Sequence, residues 1–129
     1  MKLFQAADVP FEPADVRNFV GKARVKRLPL VEGAKPVVVY LVDFEPSGRT
    51  NWHKHSAPQL LLVVEGRGLL QKWGEPVRRI GAGDAITIEP NEKHWHGAAP
   101  DSKMSHFAVN LNLTTEWLEP VADDQYRAS

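Results

Sequence analysis

Ten prolines and nine glycines are spread along the 129 residues, and they cut the apolar runs short. Such punctuation leaves little room for packed helices and favours an all-β sandwich or barrel. Between the breaks lie β-prone segments. Val37–Asp43, rich in β-branched residues, reads as a strong strand, and Ala23–Leu28 as a weaker one. Arg49–His55, Gln59–Glu65, Leu69–Trp73, Val77–Ile80, Ala85–Ile88, His94–Ala98 and Lys103–Asn112 complete the expected set. Glu45-Pro-Ser-Gly48 reads as a turn, Gly66-Arg-Gly68 as a tight turn, and Gly81-Ala-Gly83-Asp84 as a separator. Residues 1–22 read as an irregular N-terminal arm, and Thr114–Leu118 as one helical turn or a loop. Without internal repeats, low-complexity stretches or linkers, residues 1–129 are expected to form a single all-β domain.

Two strands carry information about what surrounds them. Gln59–Glu65 is apolar on both faces, with Leu61 and Val63 on one and Leu60, Leu62 and Val64 on the other. Two dry faces suggest a second sheet or a partner subunit on the outside. A homo-oligomer, dimer or tetramer, is therefore expected. Lys103–Asn112 alternates more cleanly: Phe107, Val109 and Leu111 make a greasy face, whereas Met104, His106, Ala108, Asn110 and Asn112 resemble the lining of a cavity.

Charge and composition exclude several classes. Lys plus Arg and Asp plus Glu are 16 each, so the basic patch needed for nucleic acid is not expected. Near-zero net charge also gives little repulsion against self-association. The absence of cysteine removes disulfides and thiol catalysis. The opening MKLFQAADVPFEP has no apolar stretch suited to a signal peptide, and no run is long enough to span a membrane. A soluble cytoplasmic protein acting on a small molecule is the expectation.

All five histidines fall between His53 and His106. His53-Lys-His55 and His94-Trp-His96 are both His-x-His pairs, and residues i and i+2 of a strand share a face. Each pair can therefore aim two imidazoles into one space. Imidazole nitrogen with one oxygen ligand suits a divalent transition metal. Gln59 offers a carbonyl oxygen four residues beyond His55, and His94 a further nitrogen from a later hairpin. A lone His-x-His is often incidental, and the alternative reading of His96 and His106 is as core histidines bonded to backbone. The four tryptophans, Trp52, Trp73, Trp95 and Trp117, read as core or interface.

The joint spacing resembles the cupins, small β-barrels of the double-stranded β-helix, or jelly-roll-like, kind. Their first motif is G-x5-H-x-H-x(3,4)-E-x6-G. Residues 53–66, HKHSAPQLLLVVEG, follow it from His53 through His55 to Gly66, with Gln59 in the Glu slot. Ser47 takes the leading Gly slot, beside Gly48. The second motif, G-x5-P-x-G-x2-H-x3-N, starts at Gly83 and reaches His94, with Glu89 for Pro, Asn91 for Gly and Ala98 for Asn. Asn tolerates positive φ better than most residues, which makes it a reasonable substitute for Gly at a turn.

The segments FEPSGRTNWHKHSAPQ, PNEKHWHGAAPDSKMSHFAV and WLEPVADDQY are similar to a narrower bacterial group. These are the carboxymuconolactone-decarboxylase-associated cupins and the manganese-dependent cupin hydroxynitrile lyases. The resemblance implies metal ligands at His53, His55, Gln59 and His94, with His96 and His106 lining the pocket as catalytic residues. It implies manganese as the metal, with Fe, Ni, Co or Zn as alternatives, and places substrate choice at Val38, Tyr40 and Val42. Cleavage of a mandelonitrile-like cyanohydrin is the implied reaction. A cupin dioxygenase and a non-enzymatic binding module are the other functions such a barrel serves.

The Gln has a chemical consequence. A three-His, one-Gln set carries no charge, so a divalent ion keeps its full +2. Such a site favours Lewis-acid work on alkoxide, enolate or cyanide over a rise in oxidation state. Arg49 stands near the His-x-His strand, where it can either clamp a substrate carboxylate or cap the turn at Pro46–Gly48.

Overall fold

A computed structural model describes residues 1–28 and 35–127. After a turn of 3-10 helix at Ala6–Asp8 come β1 (Glu12–Pro13), β2 (Phe19–Val20), β3 (Ala23–Arg27) and β4 (Val37–Phe44). β5 (Arg49–Thr50) and β6 (His53–His55) lead to the long β7 (Gln59–Lys72), followed by β8 (Arg78–Gly81) and β9 (Ala85–Ile88). β10 (His94–Ala98), β11 (Met104–Leu111), β12 (Thr115–Trp117) and a short α1 (Asp123–Tyr126) complete the chain. The fold is the expected all-β one. No helix among the described residues is long and apolar enough to cross a membrane.

The strands pair in the order β1-β3-β4-β11-β7-β10-β5-β2 and curl into a half-barrel. β7 joins the two halves. Its first part pairs with β11 and β9, and its last part with β10 and β8. The tight turn expected at Gly66-Arg-Gly68 is therefore a corner inside one continuous strand. The glycines are needed there for close approach. Gly66 sits at φ +76°, and a Cβ on it would strike the Lys103 carbonyl. A Cβ on Gly68 would strike the Gly97 carbonyl. Sheet corners and turns both call for Gly, and their signatures look alike.

Three other expectations change. Arg49–His55 divides into β5 and β6, because Asn51 and Trp52 bond elsewhere. The Asn51 side-chain amide donates to the carbonyls of Arg17 and Leu118, and the Trp52 backbone pairs with Leu118 and Glu119. Thr114–Leu118 is neither helix nor loop, since Thr115–Trp117 pairs with β6. Residues 1–22 contribute β1, against β3, and β2, against β5. Both substitutes in the motif Gly slots adopt the left-handed backbone, Ser47 at φ 68° and Asn91 at φ 64°.

The core forms in patches around the barrel. Val42, Phe44, Val63, Ala98 and Met104 fill one end, and Trp52, Leu69, Trp95, Val121 and Tyr126 another. The second patch is locked by Arg49, only 3% exposed. Its guanidinium donates to the carbonyls of Val121 (2.7 Å) and Ser47 (3.2 Å), pairs with Asp123, and lies over the Tyr126 ring. The Tyr126 hydroxyl in turn donates to the Ala98 carbonyl at 2.6 Å. Arg49 thus ties the C-terminal segment to the turn at Ser47, and its hydrogen-bonding capacity is directed there.

Alternation along β4, β11 and β7 sorts their side chains to two faces. Tyr40, Val42, Phe44, His106, Ala108, Asn110 and Gln59 face inward to a cavity. Val39 and Leu41 lie outward beside Phe107 and Val109, which in turn lie beside Leu60 and Leu62. Leu62, Val64 and Leu111 are 36%, 48% and 45% exposed.

Candidate metal and catalytic site

A cavity of about 250 Å³ opens between the two halves of the sheet. Its inner wall carries His53, His55, Gln59, His96 and His106, and its aromatic side is Phe19, Tyr40, Phe44 and Trp117. The register brings these residues together. His53 and His55 share a face of β6, and His94 lies opposite His53 across the β6–β10 pairing. His96 follows two residues along β10. Gln59 begins β7 opposite Asn110 of β11, and His106 lies further along the same strand. β12 closes the group by placing Thr115 opposite His55 and Trp117 opposite His53.

Each expected ligand is oriented by a hydrogen bond at its far atom. Nδ1 of His53 lies 2.8 Å from the Asn51 carbonyl, and Nδ1 of His94 lies 2.8 Å from the Glu92 carbonyl. A carbonyl only accepts, so each Nδ1 carries the proton and leaves Nε2 with its lone pair. Nδ1 of His55 is held at 3.0 Å by the Thr115 hydroxyl. The Gln59 Nε2 donates to Asn110 Oδ1 at 2.7 Å. At the near ends, His55 Nε2, His94 Nε2 and Gln59 Oε1 are buried without a hydrogen-bond partner among the described residues. Orphaned buried acceptors are costly. A bound cation would satisfy all three, and the donor set fits one.

His53, His94 and His96 form a trio whose ligand nitrogens all lie within 4.8 Å of one another. That trio contains two of the expected ligands and one residue assigned to catalysis. His55 is outside that trio, yet its ring, 5.0 Å from His53 and 5.1 Å from His94, is nearer to both than the His96 ring is, at 5.4 and 5.8 Å. His96 differs in its other contact, because its Nδ1 meets His106 Nε2 at 3.0 Å. The two spare histidines are therefore a hydrogen-bonded pair, packed against Phe44 at ring separations of 6.1 and 5.4 Å.

Burial controls the charge of the group. It pushes His94 and His106 down to about 4. Burial, reinforced by neighbouring imidazoles, holds His53 and His96 well below the ordinary imidazole range, and burial lowers His55 as well. At neutral pH all five rings are neutral, as metal ligation and proton acceptance both require.

Residues 40–110 match the cupin domain. The chain belongs to the cupin family. It is 42% identical, over 89% of its length and 88% of the relative's, to an (R)-mandelonitrile lyase of Granulicella tundricola. A cupin-like protein of Thermotoga maritima superposes with a TM-score of 0.85 at 39% identity, covering 89% of this chain and 90% of that one. The polyketide cyclase RemF of Streptomyces resistomycificus shares the fold, with a TM-score of 0.72 at 22% identity over 98% and 90% of the two chains. Three buried histidines able to hold a metal ion are in keeping with a metal-binding cupin.

Three contributors to this cupin's site are not evident from its sequence pattern. Thr115 and Trp117 are hidden because Thr114–Leu118 reads as one helical turn or a loop. The signal was the alternation of Thr115, Glu116 and Trp117, two β-prone residues flanking a polar one. Phe19 was hidden in the arm, where nothing local marks a strand. Tyr40 and Val42 line the cavity as expected, but Val38 is not part of the lining.

Proposed function

We propose that this cupin is a metal-dependent lyase that cleaves, and in reverse forms, aryl cyanohydrins of the mandelonitrile type. The observation that carries the reading is the hydrogen-bonded, neutral His96–His106 pair beside a set of orphaned ligand atoms in an aromatic-walled cavity. The 42% identity to a mandelonitrile lyase supports the same reaction class. His53, His55, Gln59 and His94 would hold the ion, manganese first and Fe, Ni, Co or Zn as substitutes. The ion's contribution is Lewis acidity, which makes the substrate hydroxyl a stronger acid.

The chain's own residues do the rest. Phe19, Tyr40, Phe44 and Trp117 bury the aryl ring. The His96–His106 pair accepts the hydroxyl proton as general base. The carbon–carbon bond to the nitrile then breaks, with its electron pair leaving on cyanide, and the former carbinol carbon becomes an aldehyde. In the reverse direction the same pair returns the proton. Mandelonitrile cleavage to benzaldehyde, followed with the Mn-loaded protein, tests the proposal. No cleavage, together with substrate-dependent oxygen uptake by the Fe-loaded protein, would replace it with a dioxygenase.

The protein is further proposed to work in the cytoplasm as a homo-oligomer. The outer face formed by Val39, Leu41, Leu60, Leu62, Phe107 and Val109 is apolar and contains no charge. Strands ~4.8 Å apart, with outward residues ~7 Å apart along each, give these six residues a plan area on the order of 200 Å². Exposed Val64 and Leu111 extend the same rows, and contiguous apolar patches of a few hundred Å² mark interaction sites.

A further inference from the structure

Gln59 is the unusual member of the donor set. An imidazole tied through Nδ1 presents one lone pair and nothing else. An amide has two ends of similar size and opposite polarity, and turning about χ3 exchanges them. A metal can use only the carbonyl end. When that end faces the ion, the NH2 end must face away, into a wall from which water is excluded. Gln59 is only 5% exposed, so an unmatched NH2 there leaves a buried donor unsatisfied.

Asn110 supplies the match. It lies directly opposite Gln59 in the β7–β11 ladder, and its Oδ1 accepts from Gln59 Nε2 at 2.7 Å. The Gln59 carbonyl oxygen is then the end left buried and unpartnered among the described residues, beside the imidazoles. Accepting from the NH2 also draws electron density toward the carbonyl oxygen, which makes it a better ligand. We propose that Asn110 is a positioning residue for the metal site: it holds Gln59 carbonyl-first and strengthens that oxygen as a donor. This rests on Gln59 being a ligand. A carboxylate in the Gln59 slot would have no NH2 end to match, so the requirement belongs to the Gln-bearing site.

The test is Mn²⁺ affinity, measured by chelator competition on metal-free protein, with no substrate present. Gln59→Leu should weaken binding sharply, and Asn110→Leu by 10- to 100-fold, the usual cost of losing a partner behind a ligand. Asn110→Asp, which can only accept, should bind Mn²⁺ at least as tightly as the parent. A nearby negative charge alone would tighten binding in any background, so the deciding comparison is made with Gln59→Glu. In that background Asn110 can turn its own NH2 toward the Glu, whereas an Asp in its place sets two carboxylates against each other. Asn110→Asp should therefore weaken Mn²⁺ binding there, reversing its sign. An unchanged affinity in Gln59→Leu overturns both the ligand assignment and this proposal. A weakened Gln59→Leu with an unchanged Asn110→Leu, or a same-sign effect of Asn110→Asp in both backgrounds, overturns the positioning role alone.

Discussion

His106 Nε2 and His96 Nδ1 lie 3.0 Å apart inside a cavity wall, and both rings are almost inaccessible to water. Two neutral imidazoles joined this way share one proton in the bond, while His106 Nδ1 and His96 Nε2 stay unpartnered among the described residues. The pair can take up a proton at one end and pass the hydrogen bond through to the other.

Removing one ring should separate catalysis from metal binding. His106→Ala should retain its metal and lose about 10²- to 10⁴-fold in cyanohydrin turnover, the usual worth of a positioned general base. His106→Gln keeps a hydrogen bond to His96 without the basicity, and should be nearly as inactive. Elemental analysis and turnover on the same samples decide the point. Parent-like turnover in either variant removes His106 from the mechanism.

The ligand assignment has a sharper competitor, because the trio of ligand nitrogens within 4.8 Å includes His96 and not His55. The hydrogen bonds favour His55, which is turned by Thr115, whereas His96 is engaged by His106. His94→Ala and His55→Ala should therefore lose bound metal on dialysis. His96→Ala should keep it at close to one ion per chain. Metal retained by His55→Ala and lost by His96→Ala would reverse the assignment.

Most of this site could be read from local sequence because its donors sit in short strands with strict alternation. His53 and His55, His94 and His96, and the inward row of β11 all follow from period two. What could not be read depends on distant partners. Gly66 and Gly68 signal backbone approach to Lys103 and Gly97, some 30 residues away, and look like a turn in isolation. Arg49 reads as a surface or substrate residue until Val121 and Asp123 fold back over it. The Gln59–Asn110 bond spans 51 residues and needs the β7–β11 register, which no local pattern supplies.

Acid should destabilise the metal-free protein. The folded pKa values of His94 and His106 are pushed down to about 4 by burial, from 6.5 in the unfolded chain. Above pH 6.5 both states are neutral and the stabilising preference is fully present. Below it the unfolded chain binds protons that the folded chain refuses, so stability is lost as pH falls from 6.5 toward 4. Each such histidine contributes on the order of 3 kcal/mol to that loss. Bound Mn²⁺ competes with protons for the ligating nitrogens and should move the acid midpoint lower. Tryptophan fluorescence during acid titration, with and without chelator, measures both effects. Equal urea midpoints at pH 7 and pH 4.5 in chelator would show that the buried rings do not resist protonation.

The outer sheet face makes the last prediction. Leu62 is flanked by Phe107 on the neighbouring strand and lies outward at 36% exposure, with Val64 and Leu111 barer still. A two-fold axis through this face would stack two such sheets about 10 Å apart, the usual spacing of packed sheets. Leu62→Glu would then bring two like charges near the axis and strip them of water, a cost of several kcal/mol against association. In a monomer the same substitution leaves the carboxylate able to reach water beside Phe107 and should cost no more than about 1 kcal/mol. Light scattering coupled to gel filtration should therefore give a multiple of 14.4 kDa for the parent and a smaller assembly for Leu62→Glu. His53, His55, Gln59, His96 and His106 lie on the inner side, so metal content per chain should not change. A parent that elutes as a monomer at micromolar concentration sinks the interface, whatever the variant does.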